Sequence, residues 1–241
     1  MEQLSFFYIR INIENKYNLT KIFCWSKIIN LVNNNNNELE EIFQSLREQL
    51  DSMDQIREGI LPLQRKSVRL CSEIIKHVHR KEFSSIPSKT IKIQDYLKSL
   101  QKTVDDMPIG FSKDYLHIVK QELGEAMILY NLITQNRFPS PEECGIGLID
   151  YAYSLTDVVG ELRRYVLNCI RNEDLDNGLK GLAHMDEIYS YLFTLDYPNG
   201  LIPGLRKKID MARNILAKTE GDITVSINIL KLNSNLLKEK K

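Results

Sequence analysis

The chain has 241 residues, 43% of them hydrophobic and 27% charged, and its 32 Lys and Arg are matched by 32 Asp and Glu. That length buries a real core, as one large domain or two small ones. The zero net charge excludes an overall field that draws the molecule to nucleic acid or membrane, so any polyanion site has to be local.

In chain order, the apolar run LSFFYI is broken by Arg10, and the stretch from Leu19 to Val32 contains Lys21 and Lys27. Neither reads as a signal peptide or a membrane span, and a cytoplasmic protein is expected. The run Asn33 to Asn37 reads as a linker, because Asn is a poor helix-interior residue, so the compact domain is expected to start near Glu38. From there a 3.6-residue hydrophobic period dominates. It predicts a long helix from Glu38 to Lys81, a second from Ser88 to Asp105, and a third from Ser112 to Thr134 that stops before Pro139.

Ser140, Pro141 and Glu143 then spell a capping box, with Ser as N-cap, Pro at the first helical position and Glu at N3; Gly145 closes that turn. Further helices are expected over Leu148 to Arg171, Asp176 to Leu195 and Gly200 to Thr219, the last two joined by the turn DYPNG. The remainder, Glu220 to Lys241, includes ITVSINIL, which has some strand character and no evident partner.

Cys24, Cys71, Cys144 and Cys169 lie far apart without a CxxC pair, which argues against a zinc module or a disulfide framework and for reduced, mostly buried thiols. No GxGxxG or GxxxxGK[ST] phosphate loop is present, and His77, His79, His117 and His184 form no HExxH or ExxH pair. His77 and His79, beside Arg80, read as a helix flank rather than as metal ligands.

Two sets of residues carry candidate chemistry. Glu122 and Glu125 in QELGEA are spaced by three, and Asp157 and Glu161 in TDVVGEL by four, so each pair shares one helix face. Two facing helices could thus present four carboxylates to a divalent metal, although such pairs also arise on ordinary solvated faces. Glu122 and Glu125 share a face with Tyr115, Ile118, Leu129, Leu132 and Ile133, and a carboxylate in an apolar stripe needs a partner or a snorkelling route. Gly160 beside the second pair leaves room for another backbone or a ligand. On the long helix, Arg65, Arg69, Lys76 and Arg80 fall within an arc of about 60°. Between Gln55 and Lys81 seven basic residues face two acidic ones. This is either a solvated face or a phosphate track.

With these residues in view, the chain resembles the translin superfamily, and most of all its factor X branch of metal-dependent ribonuclease subunits. The resemblance is carried in order by RKSVRLCSEIIKHVHR, QELGEAMILY, YAYSLTDVVGELRRYVLNCIRNED, HMDEIYSYL and DYPNGLIPGLRKKIDMARNILAKTEGD. It implies an all-α, translin-like bundle of six or seven helices with a long N-terminal helix. It covers residues 38–222, with 1–37 as leader and Asn-rich linker and 223–241 as a C-terminal tail.

By the same resemblance, Glu122, Glu125, Asp157 and Glu161 are the metal-holding and catalytic residues, with Mg²⁺, or Mn²⁺ in its place, as cofactor. Arg65, Arg69, Lys76 and Arg80 are the implied nucleic-acid contacts. The implied activity is endoribonuclease cleavage of single-stranded or short structured RNA within a homo-oligomeric shell, an octamer being expected. Single-stranded DNA is a further implied ligand, and no membrane partner is implied. The alternative is a non-catalytic translin-like RNA- or DNA-binding shell protein.

Overall fold

The computed structural model describes the backbone of residues 22–105 and 114–239 and the side chains of residues 38–105 and 115–232. The fold is all-α. Among the described residues there are seven α-helices and no strand: α1 (Ile22–His79), α2 (Ile86–Asp105), α3 (Asp114–Gln135), α4 (Pro141–Cys144), α5 (Leu148–Arg171), α6 (Leu175–Phe193) and α7 (Leu205–Glu239). No described helix is long and apolar enough to cross a membrane. Residues 1–21 and the expected helix start at Ser112 lie outside the described residues.

The chain divides into two compact units, Met1–Ile56 and Arg57–Lys241. In the first, the described backbone is the N-terminal part of α1. The asparagine run expected as a linker lies inside that helix. Asn costs only about 0.7 kcal/mol per residue relative to Ala and forbids nothing, and no Gly or Pro accompanies the run. Leu39, Ile42, Phe43, Leu46 and Leu50 recur at helical spacing in this unit and are all exposed.

In the second unit α5 is the central helix and packs against α3, α6 and α7, while α2 lies on α3. Val158, Val159, Leu162 and Val166 are fully buried or nearly so. One close approach sets the geometry of everything that follows. A Cβ on Gly124 of α3 would stand 2.3 Å from Ser154 Oγ and 2.6 Å from Ile146 Cδ1, so only Gly fits. Ser154 Oγ lies within hydrogen-bond reach of the Gln121 carbonyl at 2.9 Å and that of Asp150 at 2.8 Å, tying α5 to α3 at the turn that carries Glu122 and Glu125.

The SPEE segment forms the expected capping box. Glu143 N donates to Ser140 Oγ at 3.2 Å, Ser140 N donates to Glu143 Oε2 at 2.7 Å, and Gly145 ends the turn at φ 70°. The strand character of ITVSINIL is overridden, because α7 continues through it. Leu205, Ile209, Ala212, Leu216, Thr219 and Ile223 are buried at alternating spacings of four and three. That stripe extends the packed helical face, and packing outweighs the small helix penalty of β-branched residues. The expected start of this helix at Gly200 moves to Leu205, because the connection after α6 closes with Gly204 at φ 78°, its N–H donating to Asn199 Oδ1 at 2.8 Å. Cys71, Cys144 and Cys169 are buried free thiols; the Cys24 side chain lies outside the described ones.

A candidate acid pocket between three helices

With α3 held against α5, Glu122, Glu125 and Asp157 line one open cavity of about 550 Å³. Lys208, from the first turn of α7, lines it as well, and its Nζ donates to both Asp157 carboxylate oxygens at 2.7 Å. Apolar side chains complete the wall, among them the exposed Ile118 and Met211. Gly160 also opens onto this cavity. A Cβ there would meet nothing within 4 Å, so its missing side chain serves open space and not the approach of another backbone.

Glu161 takes a different partner. His79, at the end of α1, has its Nε2 2.5 Å from Glu161 Oε2, and Arg164 Nη1 donates to the same oxygen at 3.5 Å. The His79 side chain is 4% exposed. Its Nδ1 is buried without a hydrogen-bond partner among the described residues.

The charges leave a marked signature. Burial, reinforced by the charges of Glu122, Asp157 and Glu161 and only partly opposed by Lys208, pushes the Glu125 carboxyl up to about 8. Burial and the Asp157 charge also raise Glu122, again against Lys208. The hydrogen bond from His79 holds Glu161 below the ordinary carboxylate range. Cys71 on α1 is raised by burial and then by Glu122 and Glu125, which places its thiol within the field of the acids.

The four acids therefore share a neighbourhood but not a coordination sphere. Among the described residues no group of three or more His, Cys, Asp or Glu side chains is gathered closely enough to hold a metal ion as the side chains stand. Arg65, Arg69 and Lys76 are exposed on α1, and Arg80 is exposed just beyond its end. A second opening of about 410 Å³, which shares Gly160 with the acid cavity, is lined by Arg163, Arg164 and Arg171 of α5.

Sequence reasoning missed His79 and Lys208. Each meets its acid across a long stretch of chain, 82 and 51 residues respectively, and no spacing pattern marks such a contact.

A model of the translin family matches residues 20–224. The chain belongs to the translin family. The match takes in the asparagine run and part of the segment before it, so family likeness reaches further toward the N-terminus than Glu38. An uncharacterized protein of Methanocaldococcus jannaschii is 35% identical over 191 residues, covering 78% of this chain and 83% of that one. The AfC3PO–duplex RNA complex superposes with a TM-score of 0.67 at 25% identity, over 79% of this chain and 98% of that one. The apo-NeC3PO crystal structure superposes at 0.65 and 22%, over 76% and 96%.

The donor set of the acid pocket in this translin-family chain is of the kind a hard divalent cation takes, and no three of its acids are gathered around one point as the side chains stand. Its donors are carboxylate oxygens, the ligand class that Mg²⁺ and Mn²⁺ take. Among the described lining residues three carboxyl groups face one ammonium, and Glu122 and Glu125 are raised first by burial and then by their acidic neighbours.

Proposed function

We propose that the protein is a Mg²⁺-dependent endoribonuclease acting on single-stranded or short structured RNA within a homo-oligomeric shell. The observation that carries this reading is the convergence of Glu122, Glu125 and Asp157 on one open cavity, three carboxyl groups beside the single ammonium of Lys208. Glu122, Glu125 and Asp157 would hold Mg²⁺, and the bound ion would supply Lewis-acid chemistry, activating water and offsetting charge on the phosphate.

The chain's own residues do the rest. Glu122, Glu125 and Asp157 are the candidate ligands, and Glu161, anchored by His79, holds a fourth carboxylate one helical turn beyond Asp157. Arg65, Arg69, Lys76 and Arg80 are the candidate backbone-phosphate contacts, a sequence-independent mode of binding. Support for RNA as the ligand class comes from the relative that was solved as a complex with duplex RNA.

The test is cleavage of 5′-labelled single-stranded and short hairpin RNA with Mg²⁺ and with excess EDTA, alongside light scattering of the protein. Cleavage that EDTA abolishes, by a particle well above dimer size, supports the proposal. Cleavage indifferent to EDTA, or a clean monomer at micromolar concentration, refutes its metal or its shell respectively.

A second reading, a non-catalytic RNA- or single-stranded-DNA-binding shell protein, is favoured by one observation: Lys208 already neutralises Asp157. It predicts salt-sensitive binding without cleavage under any divalent ion.

A further inference from the structure

Lys208 is the one cation among the described residues that line the acid cavity, and its placement is specific. Nζ bonds both Asp157 oxygens at 2.7 Å, so the ammonium occupies the carboxylate edge that a chelated ion would use. Both side chains are 36% exposed, so neither is locked in place by burial.

A second seat lies close by. The Tyr153 ring, one turn before Asp157 on α5, has its centroid 6.0 Å from Nζ, and its hydroxyl donates to the Pro203 carbonyl at 2.9 Å. The ammonium already lies over that ring while bonded to Asp157, and the fixed ring keeps a cation–π contact for it if Asp157 is given up.

We infer that Lys208 is a positioning residue of the acid pocket, the resident counter-cation of Asp157, which a divalent ion must displace before Asp157 can ligate it. The inference rests on the metal-site reading above. Its mechanism is direct competition: ammonium and divalent ion seek the same two oxygens. Lys208 keeps the three carboxylates compatible while no metal is bound, and it lowers the apparent metal affinity for as long as it stays on Asp157. A lysine with a merely structural role has the opposite signature, since its removal loosens the pocket and weakens metal binding.

The experiment is Mn²⁺ titration of the full chain by calorimetry, with no RNA present, on the parent, Lys208→Met and Lys208→Arg. Lys208→Met should bind Mn²⁺ roughly three- to tenfold more tightly, the range expected from the loss of one half-exposed competing ion pair. Lys208→Arg keeps the charge and should bind like the parent. Lys208→Met that binds no more tightly than a parent that does bind overturns this inference alone. Equal gains in both variants overturn it as well, by placing the effect in shape and not charge. A parent that binds no Mn²⁺ overturns this inference and the metal-site reading together.

If Lys208→Met is unfolded without metal, thermal melts decide. A cooperative melt restored to Lys208→Met at a lower Mn²⁺ concentration than half-saturates the parent supports the inference, and a chain that stays unfolded in saturating Mn²⁺ overturns it.

Discussion

Gly124→Ala and Gly160→Ala form a matched pair, one substitution where helices touch and one where they do not. Both glycines sit inside helices, so Ala gains about 1 kcal/mol of helix propensity at either position. At Gly124 that gain meets a clash. The new Cβ would lie 2.3 Å from Ser154 Oγ, 2.6 Å from Ile146 Cδ1 and 2.8 Å from Ser154 Cβ, so α3 and α5 must move apart. Overpacking of this kind costs about 3 kcal/mol at the upper end of its usual range, leaving a net loss of about 2 kcal/mol.

At Gly160 nothing lies within 4 Å, and the propensity gain stands alone. For a domain of this size each kcal/mol moves Tm by roughly 2–4 °C, so Gly124→Ala should melt about 4–8 °C below the parent and Gly160→Ala about 2–4 °C above it. Circular-dichroism melts at one fixed protein concentration measure both, since assembly makes Tm concentration-dependent. Gly124→Ala melting at or above the parent would refute the claim that this contact sets the α3–α5 spacing.

Glu125→Gln and Asp157→Asn keep side-chain shape while removing charge. RNA cleavage should fall by about two orders of magnitude or more while RNA binding in gel shift persists, and cleavage at the parental rate would sink the site assignment. The metal-free protein should lose stability as pH rises from about 4.5 to about 8, because a folded-state pKa above the unfolded value stabilises below that window and is lost through it. The loss should be a few kcal/mol at most. Urea midpoints at pH 5, 7 and 9 read this, and Glu125→Gln should flatten the profile relative to the parent. Replacing Arg65, Arg69 and Arg80 together with Ala should weaken RNA binding and reduce the magnitude of the log–log salt slope by up to about three; an unchanged slope places the phosphate contacts elsewhere.

The fold was legible where local chemistry decides it. The capping box at Ser140 and the helical periods of α2 to α6 are written in spacings of three and four, and every expected end that falls on described residues lies within a few residues of the observed one. Misreadings came where local preference and packing disagree. The asparagine run lowers helix propensity without terminating the helix, and the β-branched run in ITVSINIL joins α7 because Ile223 continues a buried stripe. For the site, helical spacing placed Glu122 with Glu125 and Asp157 with Glu161, and the structure puts the first three of these on one cavity. The diversion of Glu161 to His79 and of Asp157 to Lys208 was not legible, because a contact between distant helices leaves no periodic trace in either one.

The pairing of His79 with Glu161 and of Lys208 with Asp157 also bears on when the pocket comes into being during folding. These contacts span 82 and 51 residues, so they reward the chain only after the intervening helices have docked, and such long-range closures are slow to form. The mutual repulsion of the carboxylates arises at the same late stage, after α3 and α5 have come together. Early species on the way to the bundle therefore carry little of the electrostatic strain of the finished pocket. Changes to these charges should act on the lifetime of the folded chain, through its unfolding rate, and leave the speed of folding nearly untouched.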